Sequence, residues 1–223
     1  MALILASAAQ QAQAGLLRQD LCQLAGLRSA GLIALGAGAS LAVHPHDEEA
    51  TKRLTGSAVL ERTAPATDAL LAGYVVVPAT AAAWAAGAAA GSRELEEGGS
   101  LLCRVAVYTQ AAVGPLKVLA ARRRPDGSSR RSFPSGHTAN AFALARASHR
   151  RYGAAVGVPL YLGAALTAAG RVHSRRHFLS DVVMGAALGA AIGDAVTLEA
   201  GGDQGAGMSV RPGARRVYLD WRF

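Results

Sequence analysis

Residues 117–137 read KVLAARRRPDGSSRRSFPSGH, and this run decides how the rest of the chain is read. Lys117 stands seven residues ahead of Arg124, close to two helical turns, so the spacing predicts that both share one helix face. Pro125 disfavours helix at Arg124 and beyond, which ends that helix on a basic side chain. Pro134 suits the first turn of a second helix, where its missing N–H costs nothing. Ser135, Gly136 and His137 then sit at that helix's positive end, where free N–H groups favour an anion and Gly136 allows close approach. A cationic helix end facing a helix N-terminus is a cradle for a group with several negative oxygens, phosphate first among them.

A third piece lies downstream in GRVHSRRHFLSD, which carries Arg171, His177 and Asp181. His177 and Asp181 are four apart and are expected as neighbours on a helix surface. The carboxylate can accept from one imidazole nitrogen and leave the other free to react. The order Lys117-x6-Arg124-Pro125, then Pro134-Ser135-Gly136-His137, then Arg171-x5-His177-x3-Asp181 resembles the type 2 phosphatidic acid phosphatase superfamily, which also holds bacterial acid phosphatases and vanadium haloperoxidases. The resemblance runs over roughly residues 68–195. One position departs from it: Gly170 stands where the family usually has serine, which removes one hydrogen bond to phosphate but no charge.

The resemblance implies an all-α helical bundle of about six main helices, with two central helices bringing the three motifs together. It implies phosphoryl transfer with no metal and no cofactor, through a phosphohistidine, vanadate acting only as an inhibitor or phosphate mimic. His177 is the expected nucleophile, held by Asp181, and His137 the group that protonates the leaving alkoxide and then activates water. Lys117, Arg124, Ser135, Gly136 and Arg171 are the expected phosphate-binding residues. The residue types support this chemistry on their own terms, since phosphoryl transfer is mostly positioning and neutralisation of spread negative charge. Arginines add bidentate contacts to phosphate oxygens. The substrate implied is a phosphate monoester or diphosphate, a lipid phosphate before a small soluble ester. The alternatives are a soluble periplasmic non-specific acid phosphatase and, behind it, a vanadium-dependent haloperoxidase, for which no halide-handling motif is visible.

Composition agrees with an anionic partner. The chain of 223 residues has a formal charge of +8 and a pI near 10.3; hydrophobic residues make up 51% and charged ones 17%. A membrane surface fits this balance. Nucleic acid does not, because aromatics are only 5% and no stacking platform is visible. Much of the excess charge lies in Arg122–Arg124, Arg130–Arg131, Arg150–Arg151 and Arg175–Arg176, ordinarily a solvated surface. Cys22 and Cys103 show no metal-ligand spacing; two buried free thiols are the expectation, with one disulfide in an oxidising compartment as the alternative. An oligomer is compatible with the sequence.

Residues 1–28 form an N-terminal segment, 29–200 the bundle and 201–223 a Gly-rich linker with an extended tail. Residues 1–14 carry an apolar run and Ala12-Gln13-Ala14; a signal peptide and an amphipathic helix running to about Ala25 both remain open, and the absence of Lys and Arg counts against the former. The HPHDEE run at 44–49 is expected as a loop and not a metal site, with a polar connector and short helix after it. Residues 68–91 are the longest apolar stretch, with Asp68 near a helix start and Pro78 as kink or break. Ser100 to Arg123 is predicted as one helix, and Gly185, Gly189 and Gly193 in the last helix are set for tight packing. The final VYLDWRF alternates like a strand but shows no partner. The expected location is the cell envelope, membrane-associated with the site facing away from the cytoplasm; a soluble periplasmic form is the alternative.

Overall fold

The computed structural model describes residues 14–198 and, for the backbone, residues 207–212 and 217–222. The expectations for residues 1–13 and for most of the Gly-rich linker lie outside the described residues. Helix α1 covers residues 14–24. It is followed by α2 (Leu27–Val43), a 3-10 turn (His44–His46), α3 (Asp47–Leu54), α4 (Ala58–Leu70), α5 (Gly73–Ala89), α6 (Arg93–Ala120), α7 (Gly136–Tyr152), α8 (Ala154–His173) and α9 (Leu179–Thr197). Among the described residues six helices, α2 and α5 to α9, run 17 residues or longer. The expected bundle is there.

The HPHDEE run is helical, not a loop. Asp47, Glu48 and Glu49 fill the first turn of α3 and Lys52 and Arg53 its last, so its charges oppose the helix dipole at both ends. The long apolar stretch also breaks elsewhere than expected. α4 and α5 meet at 60° across residues 71–72, ahead of Pro78, which lies inside α5. Asp68 is therefore in the last turn of α4, not at a helix start. Asn140, buried on α7, pins this bend: its Nδ2–H donates to the Leu71 carbonyl at 2.8 Å and its Oδ1 accepts from Gln110 at 2.7 Å. Both cysteines are free, with Cys22 exposed and Cys103 half-buried, so neither is fully buried. The C-terminal strand does have a partner: β1 (Gly207–Pro212) pairs antiparallel with β2 (Val217–Arg222), with Val210 opposite Leu219.

The core joins Leu101, Val105 and Val113 of α6 to Ala139, Ala143 and Ala147 of α7 and to Met184, Leu188, Ile192 and Val196 of α9. Its tightest seam is α7 on α9. A Cβ at Gly185 would stand 2.6 Å from the Ser135 carbonyl oxygen, and at Gly189 and Gly193 it would overlap the carbonyls of Ala139 and Ala143. Glycine every fourth residue thus gives α9 a bare stripe on which the α7 backbone lies.

Leu27–Leu54, Ala154–His173 and Leu179–Thr197 are long and apolar enough to cross a membrane, and the bent pair α4–α5 makes a fourth segment if it acts as one span. That is more spans than the single stretch at 68–91 suggests by itself. The outer faces of α2 and α8 carry exposed Leu27, Leu35 and Leu41 and Val158, Leu160 and Leu162, the side chains that lipid would cover. α9 is central, with most of its length buried.

Gly189→Leu should lower stability by about 1–3 kcal/mol or block folding, because backbone cannot yield to a new side chain. Gly31, on α2, has nothing within 4 Å. Gly31→Ala should hold or raise stability by about 0.5–1 kcal/mol. Thermal unfolding of the detergent-solubilised variants separates the two; equal melting would remove the seam from the account.

Candidate active site

Lys117 and Arg124 do not share a helix. α6 ends at Ala120, and Ala121 turns out of it with a left-handed φ of 42°, so Arg124 lies in the loop beyond. The loop is held by its own backbone. Arg124 N–H donates to Ser129 O and Gly127 N–H to Arg124 O, both at 3.0 Å, and Ser132 N–H donates to Arg122 O, also at 3.0 Å. Lys117 clamps it from below, its Nζ donating to the carbonyls of Arg131 (2.9 Å) and Pro134 (2.7 Å). Pro134 precedes α7 instead of opening it; Ser135 is the N-cap and Gly136 the first helical residue. A Cβ at Gly136 would meet Val113 at 3.4 Å and Lys117 Cε at 3.7 Å, so glycine brings the start of α7 onto Lys117.

His177 also lies outside the helix expected for it, two residues ahead of α9. Its Nδ1 is 2.6 Å from the Ser132 carbonyl. A carbonyl only accepts, so Nδ1 carries the proton and Nε2 keeps its lone pair. Asp181, at the third position of α9, is 3.8 Å from Nδ1, beyond a direct hydrogen bond. It reaches the histidine through Ser132, whose hydroxyl donates to Asp181 Oδ2 at 2.5 Å, and the same oxygen accepts from Phe178 N–H at 2.8 Å. The other carboxylate oxygen, Oδ1, accepts from Arg122 at 2.6 Å.

Arg122 is the residue that sequence reasoning missed. It belongs to a basic run expected at a solvated surface, yet it bridges Asp181 to Asp47 (2.7 Å) and Ser180 (2.7 Å) and stacks on the Phe178 ring at 4.3 Å. Asp47 in turn accepts from Ser180 N–H at 2.8 Å and from the Ser180 hydroxyl at 2.7 Å, tying α3 to the start of α9. No local signal marks Asp47 or Ser132, because their partners are 75 and 49 residues away.

The second histidine and third arginine meet at α4. His137 Nε2–H donates to the Asp68 carbonyl at 3.0 Å, and the Asp68 carboxylate forms an ion pair with Arg171. Gly170 has a packing reason of its own: a Cβ there would meet Ala64 Cβ of α4 at 3.3 Å. Ser135 is fully buried; its N–H donates to the Asp181 carbonyl at 3.0 Å and its Oγ accepts from Thr138 at 3.0 Å, leaving its own O–H to donate elsewhere.

The groups feel one another's charge. Burial, then the Arg124 charge, pulls Lys117 down to about 8; burial, then Arg171, lowers Arg124. Burial is also the main cause that holds both imidazoles near 4, with Arg171 and Lys117 adding to it, so both are neutral near pH 7. Asp181 acts in the opposite direction on His177 without cancelling this. The Nε donors of Arg124 and Arg171 are buried with no hydrogen-bond partner. Lys117, Arg124, Arg171, both histidines and Asp181 thus form one electrostatic cluster. Surplus cations and orphaned guanidinium donors in it suit a multivalent oxyanion.

Residues 98–198 match the profile of the PAP2 superfamily. Lipid A 1-phosphatase of Porphyromonas gingivalis is 45% identical over 76 residues, 33% of this chain but 17% of that protein's length. The crystal structure of a transmembrane PAP2-type phosphatidylglycerolphosphate phosphatase from Bacillus subtilis overlays with a TM-score of 0.63, covering 77% of this chain and 94% of that one. At 22% identity that likeness is one of fold.

Arg122→Met should cost about 3 kcal/mol, because it strands two buried carboxylates without their cation. Arg123→Met, at an exposed neighbour, should stay within about 0.5 kcal/mol. Denaturant unfolding of the two variants checks this; equal stability would reduce Arg122 to surface charge.

Proposed function

We propose that this chain, a member of the PAP2 superfamily through residues 98–198, is a metal-independent phosphatase that removes phosphate from a lipid ester or diphosphate by way of a phosphohistidine. The observation that carries this reading is the bond from His177 Nδ1–H to the Ser132 carbonyl, which leaves Nε2 unprotonated on a ring that feels the charges of Lys117 and Arg171. The Nε2 lone pair attacks phosphorus; the P–O bond to the leaving group breaks as His137 gives that oxygen a proton. Water then attacks phosphorus as its proton passes to His137, the P–N bond breaks with its electron pair returning to His177 Nε2, and inorganic phosphate leaves. Lys117, Arg124 and Arg171 hold the equatorial oxygens, with the Ser135 hydroxyl and Gly136 N–H as neutral donors. Burial leaves His137 without a proton in the free enzyme, so the charge of the arriving phosphate is what draws one onto it.

The P. gingivalis relative's lipid substrate and the apolar outer faces of α2 and α8 support a lipid ester handled at a membrane. Arg28, Arg146 and Arg150 gather around Asp194 at the far end of α9 from the site. In this reading the pocket, at the opposite end of α9, faces away from the cytoplasm.

With a labelled phosphate ester, denaturation during turnover should trap an acid-labile phosphoenzyme in wild type and none in His177→Ala, and EDTA should change neither. Label retained in His177→Ala would remove the nucleophile assignment. His137→Ala should depress turnover of alkyl phosphates far more than of activated aryl phosphates; equal losses would exclude the acid role.

The kcat/KM profile reports ionisations of the free enzyme. For an activated aryl phosphate, whose departure needs no proton from His137, and after correction for the ester's own ionisation, it should fall below pH about 4 as His177 gains a proton and above about 8 as Lys117 loses one. A flat alkaline side up to pH about 10, the ordinary lysine range, would mean that Lys117 is not in the cradle.

A further inference from the structure

Arg124 has a second neighbourhood. On the α3 side it lines a cavity of about 670 Å3, together with Lys52, Arg123, Arg175, Glu48 and Phe178. Phe178 follows His177 directly, and Arg124 belongs to the cradle, so this cavity adjoins the place where phosphorus would sit. Four of its lining residues are cationic and one is a carboxylate.

The pairing of the neighbouring basic residues is selective. Arg53 pairs with Glu49, Arg122 with Asp47 and Asp181, and Arg176 with Asp126. Their sequence neighbours Lys52, Arg123 and Arg175 line the cavity, and among the described residues none of these three forms an ion pair. Each basic doublet thus sends one member to a carboxylate and one to the cavity. Arg175 is held there by its backbone, with a left-handed φ of 54° and its carbonyl accepting from Asp126 N–H at 3.1 Å. A non-glycine residue kept in that conformation is over-determined by its surroundings. Arg123 lies against Gly127, where a Cβ would come within 3.3 Å of its guanidinium.

Unpaired cations around a solvent-open cavity next to a phosphate cradle select negative charge on the rest of the ligand. We propose that this cavity is a subsite for a second anionic group of the substrate: the adjoining phosphate of a diphosphate ester, or a second phosphate elsewhere on the head group. The inference rests on the phosphatase reading of the cradle and narrows its substrate class to esters with two anionic groups.

Calorimetry on the His177→Ala protein, which binds without turnover, tests it with inorganic phosphate, inorganic pyrophosphate and glucose 1,6-bisphosphate. At least one two-phosphate probe should bind about tenfold tighter than phosphate, the worth of one charge-assisted contact. Adding Lys52→Ala and Arg123→Ala should erase that advantage and leave the phosphate Kd unchanged, whereas adding Arg18→Ala and Arg62→Ala, an equal loss of charge elsewhere, should preserve it. Preference for pyrophosphate alone identifies the adjoining phosphate, and preference for the bisphosphate a distant one. Three equal affinities, or an advantage that survives the cavity substitutions, would overturn the subsite while leaving the cradle standing. Failure of phosphate itself to bind would instead strike the phosphatase reading and the subsite with it.

Discussion

The site depends on how closely α7 can approach α9. Both helices begin at the site, and their first turns are joined by the hydrogen bond from Ser135 N–H to the Asp181 carbonyl. Gly185, four residues after Asp181 in α9's second turn, makes room for that bond by letting the Ser135 carbonyl lie against its Cα. Gly189 and Gly193 continue the contact down the helix, so a seam of bare backbone fixes the second motif against the third. A wider seam would separate Ser135 and His137 from His177 before any question of chemistry arose.

On this frame the charges divide into two sets. Asp47 and Asp181 are buried and share Arg122, while the charges of Arg124 and Arg171 bear on Lys117 and that of Arg171 on Arg124. One arginine makes the carboxylates affordable in the interior, which leaves Lys117 and Arg124 as surplus cations, without an ion pair among the described residues, beside Arg171, which Asp68 holds. The surplus and the burial together keep both histidines neutral at rest. A neutral imidazole with its Nδ1 proton fixed by a carbonyl is a nucleophile; a protonated one is not.

The motif residues were legible because their types and spacing are local, and the structure brings Lys117, Arg124, His137, Arg171, His177 and Asp181 into one electrostatic cluster. The local structure around them was less so. Arg124 and His177 were expected on helices and lie in loops, because Ala121 takes a left-handed turn that its sequence does not advertise and because α9 starts two residues after His177. Asp68 was expected at a helix start; the chain bends at Leu71–Ala72, where Asn140 on α7 captures the Leu71 carbonyl, a partner 69 residues away. Ser132 and Arg122 were illegible for the same reason: their meaning lies in contacts with α3 and α9, not in the run that contains them. Helix number and glycine packing, set by composition and period, were the easier part.

On the proposed phosphatase reading, the ion pair between Asp68 and Arg171 has a kinetic meaning. At rest the cradle holds a tethered internal anion on one of its three guanidinium or ammonium arms. An arriving ester must evict that carboxylate, and the carboxylate, still attached at the end of α4, stands ready to reclaim the arm when chemistry is done. On that reading inorganic phosphate departs under competition from within the protein, and a pocket that grips a dianion is spared from being poisoned by its own product.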